Sequence, residues 1–473
     1  MKTPTRTMLA LAAALSVGIV ATESAIAESN GQEIVWTGLG GDDRFFNPSN
    51  WSPETIPGEE ATAVFNPEGE IRVLVDEGAT AGLRILGRAA GDATATVTLD
   101  LAGNTFNAQP PHPTAAVFFQ PGTQEEGARR LRLLRGELRV LFDVYAGHTL
   151  GGAHTMVSPL AIEVGEGAVL TLRNEAFFGY AGQEDYPQQV SLTVKDGGKV
   201  SNQRLLVIGN SNFSETLLRI EGAGSEVEGE GAFPRTGIVF GNSKEKSSSK
   251  GVIEKGGVIF GQRFFSLATG AGANVHVTVG GSSSDGQPSS VSADNLYVGG
   301  GTMNADEPPQ PGGTATLRCS DGAVCEFIGA RVFGGSAGNA GGVLEIEGGA
   351  VKASGGAAFD PGASLRIILT PQSQGAGPAL AVRSPAADAK LSISKATFSV
   401  GVADGFSPRR GEVFALAAYD SLEGAFEGLP DGATIRCGNT EFRIDYAGGA
   451  GGRTITLTTT ATTTASSKPK NES

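Results

Sequence analysis

The sequence predicts an all-β chain wound as a right-handed parallel β-helix, a β-solenoid with a capping segment at each end. Three observations carry that expectation. Short apolar and polar residues alternate repeatedly: Leu192 and Val194 against Thr193 and Lys195, or Val275, Val277 and Val279 against His276 and Thr278. A strand with one buried face needs this pattern, because successive side chains point to opposite sides. Glycine pairs interrupt the alternation at similar points, as at Gly197-Gly198, Gly256-Gly257 and Gly348-Gly349, and glycine supplies the positive φ of a sharp corner. The whole phrase then returns, imperfectly, from Val190 to Gly300. A sandwich would need fewer and less similar corners, and a propeller would show one aromatic or Trp-Asp motif per blade. Strand and corner at a recurring interval fit coils that bury one another's apolar faces.

Taken in order, residues 1–27 read as a secretory signal peptide. Lys2 and Arg6 precede an apolar run from Met8 to Val20, and Ala25-Ile26-Ala27 is a small-x-small cleavage site before Glu28. Residues 28–70 hold both tryptophans, Trp36 and Trp51, with Phe45, Phe46 and Phe65. A solenoid's first coil has an open end, and large aromatics suit a plug for it. Carbohydrate stacking on these tryptophans is the alternative. Asp42, Asp43, Asn47 and Asn50 offer oxygens for a Ca²⁺ ion, but their spacing fits neither an EF-hand nor the Gly-rich repeat that binds calcium in other solenoids, so an Asx-rich turn is preferred.

Residues 71–410 form the coils. Ala95, Val97, Leu99 and Leu101 alternate with Thr96, Thr98 and Asp100; residues 107–128 are a Pro-, Gln- and Gly-rich loop. Residues 129–144 then carry Arg130, Arg132, Arg135 and Arg139, a basic stripe in an acidic chain. Guanidinium groups suit the carboxylates and sulfates of an anionic glycan. A solvated face paired with neighbouring acids is the plainer reading and the one preferred. Residues 282–290 and 306–313 are polar, proline-bearing insertions of the kind that carry binding loops. Residues 411–459 form a C-terminal β cap with turns at Asp431-Gly432 and Gly438-Asn439, and 460–473 a Thr/Ser-rich disordered tail.

The net charge of −14 speaks against nucleic acid as a partner. Beyond the signal peptide no segment reaches the length of a membrane-spanning helix. Cys319 and Cys325 either pair across the short Ser-Asp-Gly-Ala-Val loop or are two buried thiols on one coil. Cys437 reads as a small buried apolar residue. His112, His148, His154 and His276 show no metal-binding spacing. Glu184, Asp185 and Tyr186 lie in a proline-bearing loop.

The repeated phrase resembles that of type V (autotransporter) passengers and PEP-CTERM-associated bacterial surface proteins. The resemblance rests on Leu218, Ile220, Gly222, Gly224, Ser225 and Val227, then Phe240, Gly241 and Ser243, then Ile253, Gly256, Gly257 and Ile259. The opening segment resembles theirs through Trp36, Asn50 and Trp51, with Phe45-Phe46 where Trp is usual. The closing segment does so through Phe414, Phe426, Leu429, Pro430, Phe442, Ile444 and Tyr446. The resemblance implies an exported bacterial solenoid. The anchor that follows in those families, a barrel or an apolar helix, has no counterpart here.

No nucleophile elbow, P-loop or dinucleotide fingerprint is present. The expectation is therefore a structural or adhesive protein of the cell surface or extracellular matrix, without catalysis or cofactor, exported and with the periplasm as an alternative location. A polysaccharide lyase or glycoside hydrolase, or a carbohydrate-binding protein, on the same scaffold is the rival expectation. Its partners would be polysaccharide or other surface proteins.

Overall fold

The computed structural model describes residues 32–85, 94–109, 117–119, 127–147, 159–179, 188–231, 233–335 and 341–462. The signal-peptide segment, His112, His148, His154, the Glu184–Tyr186 loop and residues 463–473 of the tail lie outside them. The chain is a parallel β-helix of about 11 turns.

One turn shows the plan. Gln188–Lys195 runs along the first face, Lys199–Asn202 along the second and Leu205–Ile208 along the third; Ser214–Glu221 then begins the next turn. Each strand pairs in parallel with its equivalents one turn earlier and later. On the first face Val73, Leu99, Leu133, Val164, Val194, Ile220, Ile253, Val279, Cys319, Ile346, Ile367 and Val400 fall into one register. All but Val400 are buried. The alternation seen in the sequence is thus the lumen-facing half of every strand, stacked into one continuous core.

The glycine pairs divide their work. At Lys255-Gly256 both residues have positive φ, 55° and 87°, which turns the chain from the first face to the second. Gly257 faces a different limit: a Cβ there would lie 2.5 Å from the carbonyl oxygen of Ile220, one turn away. The pair therefore supplies one bend and one close backbone approach.

Polar side chains also enter the stack. Asn202 and Gln262, both buried, exchange amide hydrogen bonds: Asn202 Nδ2 donates to Gln262 Oε1 at 3.3 Å and Gln262 Nε2 donates to Asn202 Oδ1 at 2.9 Å. They reach each other past Gly229, the register partner of Asn202 on the turn between them. Any side chain at 229 would occupy that space, since a Cβ would lie 2.6 Å from Gly261 O and 2.7 Å from Gln262 Cδ.

Both ends are plugged. Gln32–Trp36 already pairs in parallel with Ala61–Phe65, and in antiparallel fashion with Trp51–Ser52, so winding begins within the segment assigned to the cap. Trp51 packs edge-on against Trp36 and Phe45, each with centroids 5.0 Å away, and its indole N–H donates to Phe45 O at 2.7 Å. At the other end Val413–Tyr419 pairs in parallel with Leu380–Val382 and antiparallel with Thr454–Thr462. Thr434–Cys437 and Thr440–Gly448 form a hairpin closed at Gly438-Asn439, the turn expected from the sequence, and the second strand joins Thr454–Thr462. Phe414, Phe442, Ile444 and Leu457 fill this antiparallel layer.

Replacing Gly229 with Ala should overpack the buried amide pair and destabilise the chain by about 1–3 kcal/mol. Gly58→Ala, where the added carbon meets nothing within 4 Å, should stay within about 0.5 kcal/mol. Thermal melts of the two variants check this, and equal melting temperatures would contradict it.

Candidate functional site

The arginine stripe lies on Ala128–Val140, between Thr94–Asp100 and Leu160–Leu172. Leu131 and Leu133 point into the lumen, so Arg130 and Arg132 point out. Glu163, one turn on, receives both: Arg130 Nε lies 3.1 Å and Arg132 Nε 3.2 Å from its carboxylate, and Lys195 Nζ from the following turn lies at 3.4 Å. Arg135 and Arg72 both bond the carboxylate of Asp100, whose side chain is wholly enclosed. Arg139 pairs with Glu137 at 2.6 Å, to which the Thr171 hydroxyl also donates at 2.7 Å. The stripe is therefore a seam of ion pairs between coils, and an anionic glycan would have to compete with those acids.

These partners set the titration of the acids. Burial pushes Asp100 up, yet the Arg135 and Arg72 hydrogen bonds outweigh it and hold the carboxyl below its ordinary range. Glu137 is likewise lifted by burial and carried below its ordinary range by the bonds from Thr171 and Arg139. Glu163 follows the same pattern, with burial opposed by the charges of Lys195 and Arg130 and the bond from Arg132.

The other sequence candidates resolve as follows. Asp42 accepts from Asn47 Nδ2 at 3.2 Å, Asn50 Nδ2 at 2.8 Å and the Arg44 amide at 3.1 Å, while Asn50 Oδ1 accepts from Gly40 N. N–H donors thus occupy the side-chain oxygens of Asp42, Asn47 and Asn50, and the loop is an Asx-type turn. Among the described residues no group of three or more His, Cys, Asp or Glu side chains is placed to hold a metal ion. Cys319 and Cys325 are free, buried thiols in lumenal positions. A hydrogen bond with Cys319, together with burial, raises the Cys325 thiol far above its ordinary range. Cys437 is free and half-buried. His276 is exposed, with Nε2 3.3 Å from Thr278 Oγ1.

Three features went unread in the sequence. Asp143 and Glu175 stand at equivalent positions on adjacent turns, each one residue before a short third-face strand. Glu175 N donates to Asp143 Oδ1 at 3.2 Å, and Arg235 pairs with Glu175 at 2.6 Å. Burial raises Asp143 above its ordinary range despite that hydrogen bond and the charges of Arg204 and Arg235. Burial also raises Glu175, with Arg235 opposing and Asp143 adding to the rise. Beside them the rings of Tyr145 and Phe177 stack at 5.4 Å. The only sequence signal was an acid recurring before an apolar triplet.

Leu205, Val207, Val239 and Phe264 form a second, external apolar cluster outside the lumen. Met303 and Ala305, from the insertion at 299–313, pack onto it, and Ala305 N donates to Pro234 O at 2.9 Å. The start of this insertion covers the third face; its polar part, expected to be a binding loop, continues from Asp306.

A cleft of about 480 Å³ opens at the N-terminal end between Trp36–Gly38, Asp43 and the turn at residues 66–72. Neither the family models nor the curated proteins compared with this chain give a match.

The two sets of acids predict opposite responses to pH. Asp100, Glu137 and Glu163 have lowered folded-state values. Their stabilisation is complete above the unfolded carboxylate range, about 4, and is lost as pH falls through the lowered values. Asp143 and Glu175 are raised, so their contribution is complete below that range and is lost as pH rises through the raised values. Removing the Asp143 charge should therefore help most at neutral pH. The melting-temperature difference, Asp143→Asn minus native, should be more positive at pH 7 than at pH 4, and the reverse order would contradict the assignment.

Proposed function

We propose that this chain is an exported, non-catalytic β-solenoid serving as a structural or adhesive protein of a bacterial cell surface or extracellular matrix. The observation that carries this reading is the continuity of the scaffold. One lumenal core runs from Ile34 to Leu457, and charged side chains such as Glu163, Asp100 and Glu345 tie successive turns together on its outside. Such a body is a regular, rigid prism whose faces repeat from turn to turn, a form suited to spacing or contact. The basic, apolar and small-x-small order of residues 1–27 supports export, and the resemblance to passenger and PEP-CTERM-associated repeats supports the surface. Fractionation of the producing cells tests this. The mature chain should begin near Glu28 and appear outside the cytoplasm; a cytoplasmic chain retaining Met1 would overturn it.

One observation favours a second reading, a polysaccharide-active enzyme on the same scaffold: the half-buried Asp143–Glu175 pair on adjacent turns, with both carboxyls raised and Arg204 and Arg235 nearby. Paired carboxylates are what glycoside hydrolysis uses. On the structural reading, incubation with plant and microbial polysaccharides releases no oligosaccharide. Release that is abolished by both Asp143→Asn and Glu175→Gln would establish the enzyme instead.

A further inference from the structure

We infer that the N-terminal cleft binds a neutral, hydroxyl-rich saccharide. The two tryptophans of the plug differ in one respect. Trp51 is 1% exposed and its indole N–H is bonded to Phe45 O. Trp36 is 9% exposed and packed against Trp51 and Phe65, yet among the described residues its indole N–H has no hydrogen-bond partner and stays open to solvent. Its Nε1 lies 3.5 Å from where a Cβ on Gly38 would stand, and Gly38 itself lines the cleft. An indole N–H that no protein acceptor takes up and that opens onto a cavity offers a donor to a ligand oxygen.

The other walls supply acceptors. Asp43 and Glu68 line the cleft and are exposed, and among the described residues they make no side-chain hydrogen bond or ion pair. Glu70 is reached only by Arg132, at 4.0 Å. These carboxylates are too dispersed for a metal ion among the described residues, but sugar hydroxyls donate readily to separated carboxylates. Arg72, the one cation on the wall among the described residues, is committed to Asp100. The cleft therefore repels uronic acids and sulfated sugars. Its volume falls within the range of small-molecule sites, about 300–1,000 Å³. The inference concerns what the chain holds and is independent of where the cell places it.

Fluorescence titration of the full chain tests it directly, because Trp36 and Trp51 are its only tryptophans. The probes are tetrasaccharides of β-1,4-linked glucose and of mannose, a galacturonate tetrasaccharide, and spermidine. At least one neutral tetrasaccharide should bind at millimolar concentration or tighter, and more tightly than galacturonate or spermidine. Trp36→Phe, which keeps an aromatic ring but removes the N–H, should weaken binding about tenfold. Glu68→Gln, on an exposed side chain, should weaken it measurably as well. Absence of neutral-sugar binding, tighter binding of galacturonate or spermidine, or unchanged affinity in both variants would overturn the inference.

Discussion

The constraint behind this molecule is the thinness of a coil. Neighbouring strands lie about 4.8 Å apart, so a single turn cannot keep its own lumenal side chains dry. Ile253 is buried because Ile220 lies above it and Val279 below. Register is then the information that the sequence must specify, since a slip of one residue would turn every lumenal side chain outward. The corners protect that register. Where strand lengths differ between turns the mismatch is absorbed locally, as between Gly165 and Ala168.

The same geometry organises the polar groups. Side chains at equivalent positions stack one turn apart, so an acid can serve cations on the turns before and after its own. Glu163 does this with Arg130, Arg132 and Lys195, and Glu345 does it with Arg318 and Arg366. Individually, exposed pairs of this kind contribute little. Gathered around a covered carboxylate they fix which turns meet. At the two ends the logic fails for want of a neighbour, and a different solution appears: an aromatic plug first, an antiparallel layer last.

Much of the fold was legible because it is periodic. Val275, Val277 and Val279 announced their common face, Gly256-Gly257 announced a corner, and Gly438-Asn439 announced a hairpin. The arginine stripe was legible in half: its exposure followed from alternation, but Glu163 lies about thirty residues away in sequence and becomes a neighbour only through winding. Asp143 and Glu175 were hidden for the same reason. Gln32–Trp36 and Ser421–Glu423, which lie within the segments assigned to the caps, pair as coil strands. Composition marked the aromatic segment as special, whereas hydrogen bonding shows it already wound. Phe264 showed the limit of pattern reading. It faces outward yet is buried, because an insertion folds over it.

Hydrogen exchange on Ile253→Ala, in the middle of the stack, tests the dependence of turn upon turn most directly. If each turn is held by its neighbours, protection should fall not only in Ser247–Glu254 but also in Ser214–Glu221 and Ala273–Gly280, and fade toward the ends. Loss confined to Ser247–Glu254, with both neighbouring strands as protected as in the native chain, would contradict the account.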